Sequence, residues 1–221
     1  MTYEKIMETL FFQDPIHFSR WGDGEWNCIL GKHGENCDGH KYYSDLGVRL
    51  GDVLTSNPEY FLGLQSFAIE KNGFEINDWI QAHGLENRAW SDADIFHNAS
   101  IDGELQEIFR MIKENRVVLV AQDVVVRNLH PANFISVPRF NCWLQYESIL
   151  KQCMEFVDRS RSPNPVVLLC CGMMANVIVD ELYIHAPWCS AIDLGSVLDP
   201  YVGLVSRRYH QQIVNREKGK Q

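Results

Sequence analysis

Apolar runs alternate along this chain with segments in which apolar residues recur every three or four positions. Two runs, residues 117–121 and 166–171, contain only apolar residues, which is typical of strands buried on both faces of a parallel sheet. Shorter runs predict strands at 16–19, 61–64, 134–137 and 190–195. Helical spacing predicts helices at 2–13, 25–30, 45–54, 102–115, 146–157, 173–183 and 201–214. This alternation predicts an α/β fold, a Rossmann-like, doubly wound and mostly parallel sheet flanked by helices.

Residues 65–100 follow neither period for long. They mix Asn, Asp, Gly and His with Trp79 and Trp90, and only 76–83 has a helical pattern. We expect this region to be rich in loops and short helices beside the site, as an acceptor-side lid. The length of 221 residues suits a single domain over residues 1–221.

Composition and charge narrow the class of protein. The chain has 29 Asp plus Glu against 20 Lys plus Arg, a net charge of -9, which argues against a protein coated with nucleic acid but not against a local basic groove. No apolar run is long enough to span a membrane, no signal-peptide core follows Met1, and seven cysteines lack C-x-x-C spacing. We therefore expect a cytoplasmic protein with reduced thiols. The basic tail is either solvated or in contact with an anionic donor or acceptor; its residues are Arg207, Arg208, Arg216, Lys218 and Lys220.

The segment that joins the first strand to the next helix concentrates candidate chemistry. Asp23 and Glu25 lie two positions apart among the glycines Gly22 and Gly24, and Arg20 precedes them. Carboxylate oxygens are ligands for divalent cations, a guanidinium matches phosphate geometry, and glycines allow a sharp turn close to a ligand. These residues predict a metal–diphosphate site. The alternative is an ordinary turn with a surface ion pair between Arg20 and Glu25.

Two later strand ends add candidates, because ligands bind at the carboxyl ends of strands in such a sheet. Gly172 either presents the start of the next helix to a phosphate or is a left-handed or close-packed glycine. Asp193 is either a metal ligand or catalytic base, or it caps the following turn. Trp21 and Trp26 either stack on a base or sugar or pack in the core.

Several of these blocks lie in one order along the chain. They are Arg20-Trp21-Gly22-Asp23-Gly24-Glu25, Tyr43-Ser44-Asp45-Leu46, Phe61-Leu62-Gly63-Leu64, Gly172-Met173-Met174-Ala175, Asp193-Leu194-Gly195 and Asp199-Pro200-Tyr201. On them the chain resembles the GT-D glycosyltransferases, which have a Rossmann-like fold distinct from GT-A and GT-B, over most of residues 16–203. Ser196 departs from the histidine that members often carry, which leaves the sugar or the acceptor open.

The resemblance implies a metal-dependent hexosyl- or pentosyltransferase that uses a nucleoside diphosphate sugar, such as a UDP-sugar. It implies Mn²⁺ or Mg²⁺ held by Asp23 and/or Glu25. The expected catalytic residues are Asp23, Glu25 and Asp193, and the expected donor-binding residues are Arg20, Gly22, Gly24, Gly172 and Asp193. The acceptor is a glycan or glycoprotein, or a hydroxymethylated DNA base. A non-catalytic nucleotide-binding or scaffold protein and a sugar-nucleotide hydrolase are the alternatives.

Overall fold

The computed structural model describes residues 1–218, and within them seven strands form one sheet. The strands are β1 (His17–Trp21), β2 (Phe61–Leu64), β3 (Ser91–Asp92), β4 (Val117–Gln122), β5 (Asn133–Val137), β6 (Val166–Leu169) and β7 (Ser190–Asp193). Every neighbouring pair is parallel, in the order β3-β2-β1-β7-β6-β4-β5. The predicted fold class, a doubly wound parallel sheet flanked by helices, is confirmed.

Ten α-helices are present in the described residues and cover the sheet. They are α1 (Tyr3–Phe11), α2 (Asp23–Ile29), α3 (Ser44–Thr55), α4 (Ser66–Ala82), α5 (Ile95–Asp102), α6 (Gln106–Met111), α7 (Asp123–Leu129), α8 (Tyr146–Arg159), α9 (Met174–His185) and α10 (Arg208–Lys218). None of these helices is both long and apolar enough to cross a membrane.

The sheet is apolar on both faces. In β4, Val118 and Val120 belong to the core cluster that includes α3 and α9, whereas Val117 and Leu119 belong to the cluster that includes α1 and α5. Successive strand residues point to opposite faces, so a strand between two helical layers needs an apolar residue at every position. This explains the unbroken apolar runs in the sequence.

The strand order sets the location of a crevice. The chain moves outward from β1 through β2 to β3 and then crosses to β4 in the other half of the sheet. It continues outward to the edge strand β5 and returns through β6 to β7, next to β1. The connections after β1 and β7 therefore diverge at adjacent strands. In a doubly wound sheet, that divergence opens a ligand crevice at the carboxyl ends of the strands.

Residues 65–100 contain more helix than the predicted mixture of loops and short helices. Residues 66–82 form α4, which is kinked at Asn72, and β3 and α5 follow. The polar residues that suggested loop lie mostly on the solvent side of α4, while Ala68, Ile76 and Ile80 are buried against the core. An amphipathic helix tolerates such a polar face, so composition alone was misleading.

Two predicted helices are shorter than expected because a left-handed glycine interrupts each. Gly103, with φ of 83°, ends α5, and α6 begins three residues later. Gly203, with φ of 82°, separates a short 3₁₀ turn at Asp199–Val202 from α10. A helix cannot continue through a left-handed residue, so the predicted helices 102–115 and 201–214 are each divided.

The contact between α2 and α3 depends on Gly47. A Cβ at this position would overlap the carbonyl oxygen of Cys28 in α2 and lie 2.8 Å from its carbonyl carbon. We expect Gly47→Ala to destabilise the protein by about 1–3 kcal/mol, because backbone atoms cannot move aside cheaply. Gly51→Ala, one turn further along α3, meets only Trp79 Cζ2 at 3.7 Å and should stabilise by about 0.5–1 kcal/mol. Urea unfolding of both variants measures the contrast, and equal effects would contradict this packing.

Candidate functional site

A cleft at the carboxyl ends of the strands contains the acidic turn after β1. Asp23 is the first residue of α2, and the carboxylate of Glu25 accepts a hydrogen bond from the Gly22 N–H at 2.9 Å. Gly22 and Gly24 do not have positive φ, so they do not make the sharp turn that the sequence suggested. They allow close contacts instead: a Cβ on Gly22 would lie 2.7 Å from Gln65 Oε1.

Arg20, near the end of β1, is fixed against the turn after β7. Its Nε donates to the carbonyl oxygen of Ala93 at 2.8 Å, and its own carbonyl oxygen accepts from the Asn176 side chain at 2.8 Å. A Cβ on Gly195 would overlap Arg20 Nη1, so the guanidinium occupies space that only a glycine leaves open. Arg20 therefore bonds to the fold around it, and the alternative of a surface ion pair with Glu25 does not describe its contacts.

Two enclosed carboxyl groups lie beside Arg20. The pKa of Glu25 is raised to about 7, chiefly by burial and also by Asp193, against the opposing effect of backbone N–H groups and Arg20. The pKa of Asp193 is raised to about 6 by burial, which outweighs the lowering effect of Arg20 and the Gly195 N–H. Asp193 accepts that N–H at 2.8 Å, so it caps its turn as well as facing the cleft. Carboxyl groups with such pKa values can exchange protons near neutral pH.

A second charged group lies further along the cleft. Arg207, just before α10, donates through Nη2 to the carboxylate of Asp38, which lies in the segment between α2 and α3. Asp199 is nearby: its pKa is raised to about 7, chiefly by burial and also by Asp38, while Arg207 opposes the rise. The cleft therefore has two separate arginines, each among carboxylates.

The pKa of Asp199 predicts a pH dependence of stability. When a carboxyl has a higher pKa in the folded state than in the unfolded chain, the free energy of unfolding falls as pH rises between those two values. For Asp199 this interval runs from about 4 to about 7. Asp199→Asn removes this loss. We expect its free energy of unfolding, relative to wild type, to rise on the order of 2 kcal/mol from about pH 5 to about pH 8. The control is Asp102→Asn, an exposed residue, whose difference should stay flat. Urea titrations at several pH values measure it; a flat Asp199→Asn difference would contradict the burial argument.

The carboxylate oxygens at the acidic turn provide part of the ligands that a divalent cation needs. Asp23 presents its carboxylate to the cleft, where Lys71 Nζ already donates to it at 2.8 Å, so this oxygen receives a cation. One Glu25 oxygen is occupied by the Gly22 N–H. Residues 1–218 contain no group of three or more His, Cys, Asp or Glu side chains placed to hold a metal ion. Mg²⁺ commonly binds through one or two carboxylates plus waters and substrate phosphates, so Asp23 fits as a ligand and Glu25 as a secondary one.

The structure brings all of the sequence-predicted site residues to this cleft. They are Arg20, Gly22, Asp23, Gly24, Glu25, Gly172 and Asp193. Gly172 is left-handed, with φ of 67°, and a Cβ there would lie 3.3 Å from the His40 ring. Trp21 and Trp26 are fully buried, so they pack in the core and cannot stack on a ligand.

Several cleft residues were not predicted from the sequence. Asp38 and His40 belong to a segment that has a loop-like composition, and Gln65 follows a strand without a motif. Tyr209, whose hydroxyl lies 3.1 Å from that of Ser196, packs against the ring of His97. Of the basic tail, Arg207 lines the cleft, Arg216 binds backbone carbonyls of α5, and Lys220 lies outside the described residues.

Comparison with solved structures finds proteins that share this fold. No protein-family model matches the sequence, and comparison with curated proteins finds no match. One similar structure is described as "The highly conserved domain of unknown function 1792 has a distinct glycosyltransferase fold". Its TM-score is 0.62 and its sequence identity is 14%, and the match covers 91% of this chain and 79% of that one. A selenomethionine structure of domain of unknown function 1792 has a TM-score of 0.63 and 13% identity over the same shares. Similarity at this identity shows the fold alone.

Proposed function

We propose that this protein is a metal-dependent glycosyltransferase that moves a sugar from a nucleoside diphosphate sugar to an acceptor hydroxyl. The observation that carries the proposal is the cleft itself, where Arg20, Asp23, Glu25 and Asp193 meet at the point where the connections after β1 and β7 diverge. A phosphate-matching guanidinium beside carboxylates suits a diphosphate with a bound cation. The similarity to a glycosyltransferase fold supports the same class.

In this proposal, each side chain has a defined task. Arg20 binds the diphosphate and offsets the charge that develops on it as the bond to the sugar breaks. Asp23, with Glu25 as a second ligand, holds Mn²⁺ or Mg²⁺, which supplies further neutralisation of the leaving group. Asp193, with a pKa of about 6, takes the proton that the acceptor hydroxyl loses.

The charge of the protein favours an uncharged acceptor. The cleft has five acidic residues beside two arginines, and the raised pKa values of three of them, Glu25, Asp193 and Asp199, neutralise part of this charge near neutral pH. The net charge of -9 repels a DNA backbone. We therefore propose a glycan or glycoprotein hydroxyl, with hydroxymethylated DNA as the competing acceptor in the screen.

The first test is calorimetric binding of a panel of nucleoside diphosphates, including UDP, with Mn²⁺ and with EDTA. We expect one or more to bind only with the metal, and Asp23→Ala/Glu25→Ala to lose this binding. The matched control, Glu147→Ala/Asp158→Ala, removes the same charges from exposed positions on α8 and should bind like wild type. A folded wild-type protein that binds no member of the panel would refute the proposal.

Turnover separates the alternatives. The bound nucleotide, supplied as its sugar conjugates, is incubated with glycan, glycoprotein and hydroxymethylated DNA acceptors. Sugar transfer to a glycan or glycoprotein supports the proposal. Sugar release to water that no acceptor accelerates indicates a hydrolase, and binding without turnover indicates a nucleotide-binding scaffold.

A further inference from the structure

Arg207 reaches the cleft from the opposite end of the chain to Arg20. It ends the segment that joins the 3₁₀ turn after β7 to α10, and this segment is anchored on both sides of it. The Ser206 N–H donates to the buried His210 ring at 3.2 Å, and the hydroxyl of Tyr209 lies 3.1 Å from that of Ser196. The position of Arg207 is therefore set by the fold.

The guanidinium of Arg207 has unused hydrogen-bonding capacity. Nη2 donates to Asp38, but Nε is buried and has no hydrogen-bond partner among residues 1–218. A guanidinium has five N–H donors in a planar fork that matches phosphate oxygens, and a buried donor without an acceptor is costly. About one-third of the side chain is exposed to the cleft, which gives an anion access to it.

The two arginines border the same cleft. Arg20 lowers the pKa values of Glu25 and Asp193, Arg207 lowers that of Asp199, and both lower that of Tyr209. The Nε of Arg20 also donates to the Ala93 carbonyl oxygen, so one of the five N–H donors of this guanidinium is not available to a ligand. A diphosphate has two phosphoryl groups, and two guanidinium groups that line one cleft match that charge.

We infer that Arg207 binds the diphosphate of the donor, together with Arg20, and that Asp38 holds its guanidinium in place until the donor arrives. The inference rests on the proposed function. Phosphate oxygens accept from the exposed part of the guanidinium, at the fork that Asp38 occupies, so donor binding replaces the contact between Arg207 and Asp38. This contact joins the segment before α3 to the segment before α10, so both segments become free to adjust around the donor.

The test compares Arg207→Gln and Arg207→Lys with Arg208→Gln, the adjacent exposed arginine at the start of α10. Calorimetry with Mn²⁺ measures the Kd of the best nucleoside diphosphate and of the same nucleoside without phosphates. We expect Arg207→Gln to weaken diphosphate binding about 10- to 100-fold and to leave nucleoside binding unchanged. Arg207→Lys should fall between Arg207→Gln and wild type, because it keeps the charge but not the fork. Arg208→Gln should match wild type.

The outcomes separate this inference from the proposed function. If wild type binds the diphosphate and Arg20→Gln weakens binding while both Arg207 variants bind like wild type, the inference fails and the proposed function stands. If wild type binds no diphosphate, the proposed function fails. Thermal unfolding reports whether each variant is folded. If Arg207→Gln is not folded, Arg207→Lys decides, because its ammonium can still pair with Asp38; unchanged diphosphate affinity in that variant overturns the inference.

Discussion

Replacing Asp23 with asparagine is expected to lower metal-dependent sugar transfer by on the order of 100-fold or more. The Asp23 carboxylate faces the cleft and already receives the ammonium of Lys71, so it is the best-placed oxygen ligand at the acidic turn. An amide is a neutral and weaker ligand, and loss of several kcal/mol of charge stabilisation in the transition state corresponds to a loss of this size. Initial rates at saturating donor across a Mn²⁺ titration measure the effect.

Lys71→Gln tests the same site from the side of the cation that now pairs with Asp23. It removes the ammonium that occupies Asp23 while leaving the carboxylate in place, so half-saturation should occur at a lower Mn²⁺ concentration with turnover retained. Asp23→Asn should unfold at nearly the wild-type urea concentration, because the ion pair of Asp23 with the half-exposed Lys71 is partly screened by solvent. Wild-type turnover and metal dependence in Asp23→Asn would remove Asp23 from the proposed metal site.

Six of the seven strands in the described residues could be predicted from the sequence, and the two-residue β3 could not. Burial on two faces leaves little choice of residue: 117–121 and 166–169 are unbroken apolar runs, and the structure has buried strands there. The same patterns do not predict helix α7, because its sequence looks like that of a strand. Its run of valines at 124–126 has high strand propensity, but Gln122 and Asp123 start a helix on a face of the sheet that needs covering. Tertiary packing therefore overrides local preference at α7.

The part of the cleft nearest β1 could be predicted because its residues are adjacent in sequence. Asp23 and Glu25 are two residues apart, and a strand end followed by glycines is a visible pattern. The contact of Arg207 with Asp38 joins residues 169 positions apart, and neither belongs to a motif. Such a pair is brought together only by the order of the strands, which single-residue patterns do not encode.

Gly195→Ala is expected to weaken diphosphate binding about 10- to 100-fold, as the loss of a charge-assisted hydrogen bond does. The new methyl group would overlap Arg20 Nη1, so the guanidinium must leave its place beside Asp193. Gly195 also has a positive φ of 61°, and a non-glycine residue in that conformation costs about 1–3 kcal/mol of stability. Calorimetry gives the affinity, and urea unfolding gives the stability.

Gly203→Ala separates the two effects of that substitution. Gly203 has φ of 82°, and a Cβ added there would meet no atom of the described chain within 4 Å, so alanine brings backbone strain without any contact with Arg20. Both variants should lose stability, but only Gly195→Ala should lose affinity for the diphosphate. If the two variants bind the diphosphate equally well, the position of the Arg20 guanidinium against Gly195 does not matter for binding, and the role proposed for Arg20 must be given up. If only Gly195→Ala binds weakly, the glycine after β7 is required because it makes room for the arginine of β1.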